Sequence, residues 1–272
     1  MILDGKALAA EILDEVGQRA IALGTLPRLA IVAANPTPAT RSYLAAKARA
    51  ARQAGCALEV IELPETASAL ELRLAIDSAA ADAVVLQLPL ADDRIAKEAC
   101  DGIPPEKDAD VLSTVARMRF EADEDGALVP PVAGALAAIL DRHGVNPEGK
   151  RAVVLGDGWL VGKPCATWLA HQGADVIHLK GPASDLAELR LADIIVSGVG
   201  SPHLIQPELI KEGVVLVDAG TSEMGGKLAG DAAPACAPMC ALFTPCPGGV
   251  GPVAVAKLFE NVVALAERAT HR

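Results

Sequence analysis

Residues 151–170 read RAVVLGDGWLVGKPCATWLA. An apolar strand-like run is followed by a turn containing Gly156, Gly158 and Gly162, and then by a helix-like run around Pro164. The glycines form G-x-G-x-x-x-G, a relative of the dinucleotide fingerprint. The first two permit a tight turn and let the backbone approach a pyrophosphate, while the helix N-terminus offers free N–H groups and its dipole. Pro164 fits the first helical turn, where its missing N–H costs nothing. Alone the motif is weak, since any α/β turn can use glycine. Its place between a strand and a helix favours nucleotide binding over a purely structural turn.

Outward from this turn, apolar runs predict further strands at 175–179, 194–197, 214–217 and 241–243, with a closing helix over 252–268. Toward the N-terminus the rhythm is the same. Helices are expected at 7–23, 39–54 and 69–79, and strands at 29–34, 58–63 and 83–88. This is the βαβ alternation of parallel sheets. Prolines at 104, 105, 130 and 131 and an acidic patch over 121–125 mark 101–132 as loops and a lobe boundary. The expected fold is α/β, in two lobes.

Composition agrees. The chain has 272 residues, 51% apolar but only 2% aromatic, so its core is built of Ala, Val, Leu and Ile. A net charge of −11 argues against nucleic acid or an anionic membrane as partner. No run reaches the roughly 18 apolar residues needed to span a bilayer. MILDGKALAAEI reads as an amphipathic helix rather than a signal peptide. The six cysteines are scattered, which suits a reducing cytoplasm. Cys236, Cys240 and Cys246 cluster, but their spacing matches no common zinc pattern, and no metal is expected.

Three features outside the glycine turn carry candidate chemistry. In PATRSYLAAKARAARQAG, Tyr43 and Lys47 stand four apart and share one helix face. A partly buried lysine with a lowered pKa can exchange a proton near neutral pH; the plain alternative is a boundary tyrosine beside a solvated lysine. The pair resembles the Tyr-x-x-x-Lys of short-chain dehydrogenases, but those enzymes place their glycine turn before it, and here the order is reversed. In ADAVVLQLPL a single amide, Gln87, breaks an apolar strand at its carboxyl end, where parallel sheets bind ligands. IPPEKDADVLS brings Lys107, Asp108 and Asp110 into a proline-started loop.

Together these stretches resemble the bifunctional methylenetetrahydrofolate dehydrogenase/cyclohydrolase family along nearly the whole chain. ILDGKALAAEI is similar to its opening, PATRSYLAAK to its Pro-Ala-Ser-x-x-Tyr-x-x-x-Lys helix, and VLQLPL to its Val-Gln-Leu-Pro-Leu strand end. IPPEKDADV resembles its Pro-x-Lys-Asp-Val-Asp-Gly loop and GDGWLVGKP its Gly-Arg-Ser-x-x-Val-Gly-x-Pro turn. VDAGTSE, GKLAGDA and TPCPGGVGP follow in the family's order.

The resemblance implies a substrate lobe over 1–129, completed by a C-terminal helix over 250–272, and a Rossmann-like lobe over 130–249, with the active site in a cleft between them. It implies oxidation of 5,10-methylenetetrahydrofolate with NADP or NAD, then hydrolysis of the methenyl product to 10-formyltetrahydrofolate. Lys47 matches the lysine that manages protons in water addition, and Gln87 the amide that tunes it. Tyr43 matches the tyrosine that orients the folate, and Asp110 the acid that holds the pterin. Leu86 and Leu88 would flank the ligand with Gln87, and so would the backbone of Pro247, Gly248, Gly249, Val250 and Gly251. Cofactor contacts would come from Gly156, Asp157, Gly158 and Gly162, and from Lys180, Gly181 and Thr221. A cytoplasmic homodimer is implied as well.

Departures from the family pattern fall at informative places. Asp157 stands where the family has arginine, and Gly181 where it has serine, so two ligands for the 2′-phosphate of NADP are missing; Lys180 could replace them in part. Val111 replaces a glycine, PPVAG stands for Pro-Cys-Thr-Pro, and Val253-Ala254 for Met-Thr. Two other readings stay open: an oxidoreductase of the same architecture with another substrate, and a non-catalytic descendant of the family.

Overall fold

The computed structural model describes residues 1–34 and 36–270. Asn35 and residues 271–272, which fall within the expected segments 1–129 and 250–272, lie outside the described residues, as do the side chains of Pro38 and Ala39 in the Tyr–Lys helix motif. The chain divides into two compact units, Ala10–Pro131 with Val255–Arg272, and Met1–Ala9 with Val132–Ala254.

The first unit is built on three parallel strands, β1 (Arg28–Ala34), β2 (Ala57–Leu63) and β3 (Ala83–Leu86), in the order β2-β1-β3. Val32 lies opposite Ile61 on one side and Leu86 on the other. All four residues of β3 are buried, which is why it reads as an unbroken apolar run. The expected strand over 83–88 stops at Leu86. Gln87 N–H makes one more bond, to Val32 O at 2.8 Å, and Pro89, lacking an N–H, cannot extend the ladder.

Helix α1 (Gly5–Ala22) leads into this unit, and α2 (Pro38–Gln53) and α3 (Ala69–Ser78) connect its strands. Thr37 caps α2, its hydroxyl accepting from Thr40 N–H at 3.2 Å. Ser68 and Glu71 form a capping box at the start of α3. Leu72 and Ile76 of α3 pack with Val32, Val84, Leu86, Ile103 and Leu112 in one core.

One helix, α5 (Thr114–Glu121), occupies the stretch expected to be loops, and another that was not expected, α4 (Asp93–Asp101), ends where that stretch begins. The prolines flank these helices rather than interrupt them, and Asp92 and Ser113 cap them through side-chain bonds to Arg94 and Ala116 N–H.

The second unit carries α6 (Pro131–Arg142) from Val132 onward, β4 (Arg151–Leu155), α7 (Gly162–His171), β5 (Asp175–Leu179), β6 (Ile194–Ser197) and β7 (Val214–Asp218). A small antiparallel hairpin, β8 (Ser222–Met224) and β9 (Lys227–Ala229), precedes β10 (Cys240–Phe243) and α8 (Val250–Thr270), whose residues from Val255 onward belong to the first unit. The main sheet is parallel throughout, in the order β10-β7-β6-β4-β5. The chain runs from β4 outward to β5, then returns to β6 on the other side of β4. Strand order therefore reverses between β4 and β6, the position at which open parallel sheets bind ligands.

Residues Met1–Ala9, expected with 10–129, group instead with this sheet. The Met1 amino group donates to Ala241 O at 2.9 Å, and Leu3 N–H to Phe243 O and Phe243 N–H to Met1 O, both at 2.9 Å. The opening residues thus line the sheet's β10 edge. Gly5 follows because a Cβ there would collide with Gly249 O. Among the described residues, no helix is long and apolar enough to cross a membrane.

Candidate active site

Lys47 and Gln87 meet in the first unit. Lys47, on α2 one turn beyond Tyr43, is half-buried and donates from Nζ to Gln87 Oε1 at 3.0 Å. Gln87 Nε2 donates to Leu88 O at 2.7 Å, which fixes which end of the amide faces the lysine. Burial lowers the Lys47 pKa below its usual value, and the charge of Asp110 opposes that shift. Burial raises the Asp110 pKa in turn; Lys47 pulls it down and Asp108 pushes it up. Tyr43 is 41% exposed. The group combines a lysine whose ammonium form burial disfavours, an oriented amide and a carboxyl in electrostatic reach, a set suited to proton transfer.

The loop that carries Asp110 is held from three sides. Val84 N–H donates to Lys107 O at 2.7 Å, tying the loop to β3. The fully buried carboxyl of Asp108 accepts from Leu112 N–H at 3.0 Å and Ser113 N–H at 2.7 Å; burial raises its pKa while these bonds pull it down. From α8, Asn261 Nδ2 donates to Ala109 O and Val129 O, each at 2.9 Å. Val111 has φ +57°, so the backbone still adopts the left-handed conformation that suits the family's glycine, and its side chain is only 3% exposed. Asn261 escaped the sequence reading. Its one signal was an uncharged amide inside the otherwise apolar stripe of KLFENVVALA.

In the second unit, the glycines of the turn are there for space. A Cβ on Gly162 would collide with Gly156 O, and Gly156, at φ +120°, would place one 2.9 Å from Gly198 O. Gly158 faces open space. Helix α7 begins at Gly162, ahead of Pro164, and no side chain caps its N-terminus. A bare backbone turn leading into an uncapped helix end fits a dinucleotide diphosphate.

Asp157 Oδ1 lies 4.0 Å from both Lys163 Nζ and His178 Nε2. His178 Nε2 also donates to Gly156 O at 2.6 Å, bracing the turn from β5. Lys180 is exposed. At Gly181 a Cβ would meet nothing, and its N–H donates to Ser184 Oγ at 3.3 Å. Thr221 is exposed just before β8. The sequence reading named neither His178 nor Ser184.

The proline–glycine loop is equally tight. A Cβ on Gly249 would sit 2.5 Å from Pro245 O, whereas Gly248, at φ +100°, and Gly251 face open space. Pro247 is exposed, while Val250, opening α8, and Leu86 of β3 place their side chains in the core. The six cysteines are free thiols. Among the described residues, no group of three or more His, Cys, Asp or Glu side chains is arranged to hold a metal ion.

Comparison with known proteins covers almost the entire chain. Residues 3–110 match the family model for the tetrahydrofolate dehydrogenase/cyclohydrolase catalytic domain, and residues 130–270 the model for its NAD(P)-binding domain. The bifunctional protein FolD of Moorella thermoacetica is 39% identical over 277 residues, covering 98% of this chain and 99% of that protein. Among solved structures, the methylenetetrahydrofolate dehydrogenase-cyclohydrolase of Trypanosoma brucei, complexed with NADP and an inhibitor, has a TM-score of 0.93 at 33% identity, covering 100% of this chain and 99% of that one. The bifunctional FolD of Campylobacter jejuni has a TM-score of 0.92 at 30% identity, covering 99% of each chain. The chain belongs to the tetrahydrofolate dehydrogenase/cyclohydrolase family.

Proposed function

We propose that the protein oxidises 5,10-methylenetetrahydrofolate to the 5,10-methenyl cation with NAD(P) and hydrolyses that cation to 10-formyltetrahydrofolate. The Lys47–Gln87 hydrogen bond, with Asp110 in electrostatic reach, is the observation that carries this reading. Bound NAD(P) supplies the hydride acceptor for the methylene carbon. Lys47 takes the proton lost when water adds to the methenyl carbon. As the hydroxyl on that carbon gives up its proton and the bond from the carbon to N5 breaks, N5 takes up a proton, leaving the formyl group on N10 and one proton released overall. Gln87 holds the ammonium in place and disperses its charge. Tyr43 stacks against and orients the folate, and Asp110 accepts hydrogen bonds from the pterin N–H groups.

The glycines of Pro247–Gly251 let backbone approach a flat ligand closely. Gly156, Gly158, Gly162 and the start of α7 hold the diphosphate of the cofactor, and Thr221 borders it. Asp157 and Gly181 disfavour the 2′-phosphate of NADP, and only Lys180 opposes them. The substrate role is assigned to 1–129 with 250–272, and the cofactor role to 130–249. The net charge of −11 fits a protein that avoids nucleic acid and anionic membranes, the scattered cysteines fit the cytoplasm, and the homodimer rests on the family resemblance alone. Following methenyl-folate absorbance with each of NAD and NADP, then its decay without cofactor, tests both half-reactions. A folded protein that forms no methenyl product with either cofactor refutes the proposal.

A further inference from the structure

Two buried aspartates have no role in the chemistry above, Asp218 in VDAGTSE and Asp231 in GKLAGDA. Asp231, fully buried just beyond β9, accepts at Oδ2 from Ser197 Oγ at 2.7 Å and Val199 N–H at 2.8 Å, and at Oδ1 from Ser201 N–H at 2.7 Å. These donors are the last residue of β6 and two residues of the loop after it.

Asp218, ending β7, holds Asp231 in turn. Its Oδ1 accepts from Asp231 N–H at 3.1 Å and Gly220 N–H at 2.9 Å, and its Oδ2 from Ala232 N–H at 2.9 Å. Its own N–H donates to Thr244 Oγ1 at 2.7 Å. Gly220 and Gly230 give the pair room, since a Cβ on either would strike the carboxyl of Asp231 or Asp218 respectively.

The loop that Asp231 holds faces the glycine turn across the reversal of strand order. Ser197 is paired in register with Leu155, the residue before Gly156. A Cβ on Gly198 would collide with the Val161 side chain, and one on Gly156 would lie 2.9 Å from Gly198 O. The two loops therefore touch backbone to backbone, and a displacement of one is transmitted to the other. A buried hydrogen-bond network with every donor satisfied resists such displacement.

We propose that Asp231 is a positioning residue for the nicotinamide dinucleotide, fixing the loop of residues 198–201 as the second wall of the crevice between β4 and β6, with Asp218 as its support. This rests on the NAD(P) reading above. Three donors converge on Asp231, so a carboxylate is required. An amide keeps one accepting oxygen and turns an N–H₂ group toward a donor.

The test is direct titration of NADH and NADPH, followed by fluorescence, into wild type, Asp231→Asn and Ser197→Ala. Cofactor KM and the hydrolysis of supplied methenyltetrahydrofolate, which consumes no nicotinamide, are measured alongside. Asp231→Asn is expected to raise the Kd and KM of the preferred cofactor about tenfold to a hundredfold, as misplacement of a binding wall does. Ser197→Ala, which spares the two backbone donors, should raise them about threefold. Methenyl hydrolysis should stay within about twofold in both, since a local shift in a positioning loop does not reach a reaction without cofactor. A folded Asp231→Asn with unchanged cofactor Kd overturns the inference, as does parallel loss of hydrolysis and cofactor binding, which would mark a general structural role. Should Asp231→Asn fail to fold, an unchanged cofactor Kd in Ser197→Ala overturns it. Wild type that binds neither NADH nor NADPH refutes the NAD(P) reading itself, and the inference with it.

Discussion

Gln87 receives the Lys47 ammonium through Oε1 because its amide nitrogen is committed to Leu88 O. Lys47→Met should therefore lower methenyl hydrolysis about a hundredfold or more, the usual loss for a placed acid–base group. Gln87→Glu should act through pH instead. Burial lowers the Lys47 pKa, and a carboxylate at 3.0 Å would favour the ammonium and raise it again. The rising limb of the hydrolysis pH profile should move alkaline. A Gln87→Glu enzyme with wild-type rates and an unmoved limb would remove Lys47 as the group titrating in that profile.

Val111→Gly should destabilise the protein, although it restores the residue that the left-handed backbone favours. Releasing the left-handed strain of a valine gains about 1–2 kcal/mol. Losing a buried valine side chain costs about 1.5–3 kcal/mol, and the extra freedom of glycine in the unfolded chain about 0.5–1 kcal/mol more. The net loss is about 1.5 kcal/mol, readable in urea unfolding. A more stable Val111→Gly would show that packing of this 3% exposed side chain is not what sustains its φ of +57°.

Asp157→Arg should raise kcat/KM for NADP relative to NAD by about tenfold or more. A carboxylate near a phosphate costs about 1 kcal/mol under solvent-like screening. A restored charge-assisted contact adds about 1.5–3 kcal/mol. Lys163 and His178 stand 4.0 Å from the present carboxylate and are partly exposed, so they offset little of this. If the natural protein strongly prefers NADP, and Lys180→Ala leaves that preference intact, this account of cofactor choice is wrong.

Asp218 should make stability decline as pH rises from about 4 to about 7. Burial, assisted by the charge of Asp231, pushes its pKa up to about 7 against three backbone N–H bonds. The folded state then binds a proton in a window where the unfolded carboxyl, with a pKa of about 3.9, has lost it. The stabilisation is complete below the unfolded pKa, falls through the window and levels off above the folded one. The neighbouring Cys246 thiol, pushed up to about 11 by burial and then by both carboxylates, does not titrate there. Between pH 5 and 8 the loss is roughly 2–3 kcal/mol. Urea unfolding at both pH values should show that difference in wild type and a smaller one in Asp218→Asn; equal differences would mean that Asp218 does not carry it.

Strands β3 and β6 were legible because both their faces are buried, so Val84–Leu86 and Ile194–Val196 read as apolar runs without alternation. Lys47, Gln87 and Asp110 were legible as polar exceptions at a helix face, a strand end and a loop. Helices α4 and α5 were not, because each is short and proline-flanked, and only a single capping side chain announces it. Nor was the placement of Met1–Ala9. Its pairing with Phe243 joins residues some 240 positions apart, and no local pattern encodes such a partner. Asn261 and Asp231 shared this difficulty, since their roles lie in carbonyl and amide groups supplied by distant loops.

The interleaving of the two units along the chain bears on how the protein is made. One needs Met1–Ala9 as well as Val132–Ala254, the other Ala10–Pro131 as well as Val255–Arg272. During translation, residues 10–131 emerge first yet lack the helix that brings Asn261 to the Ala109 carbonyl. The strap at residues 1–3 waits for β10, more than two hundred residues away. Neither unit can finish folding on the ribosome until the closing helix is being synthesised: a nascent chain paused at residue 130 presents to chaperones one core without its last helix, and one paused at 249 presents that core still open beside a second that lacks its final residues.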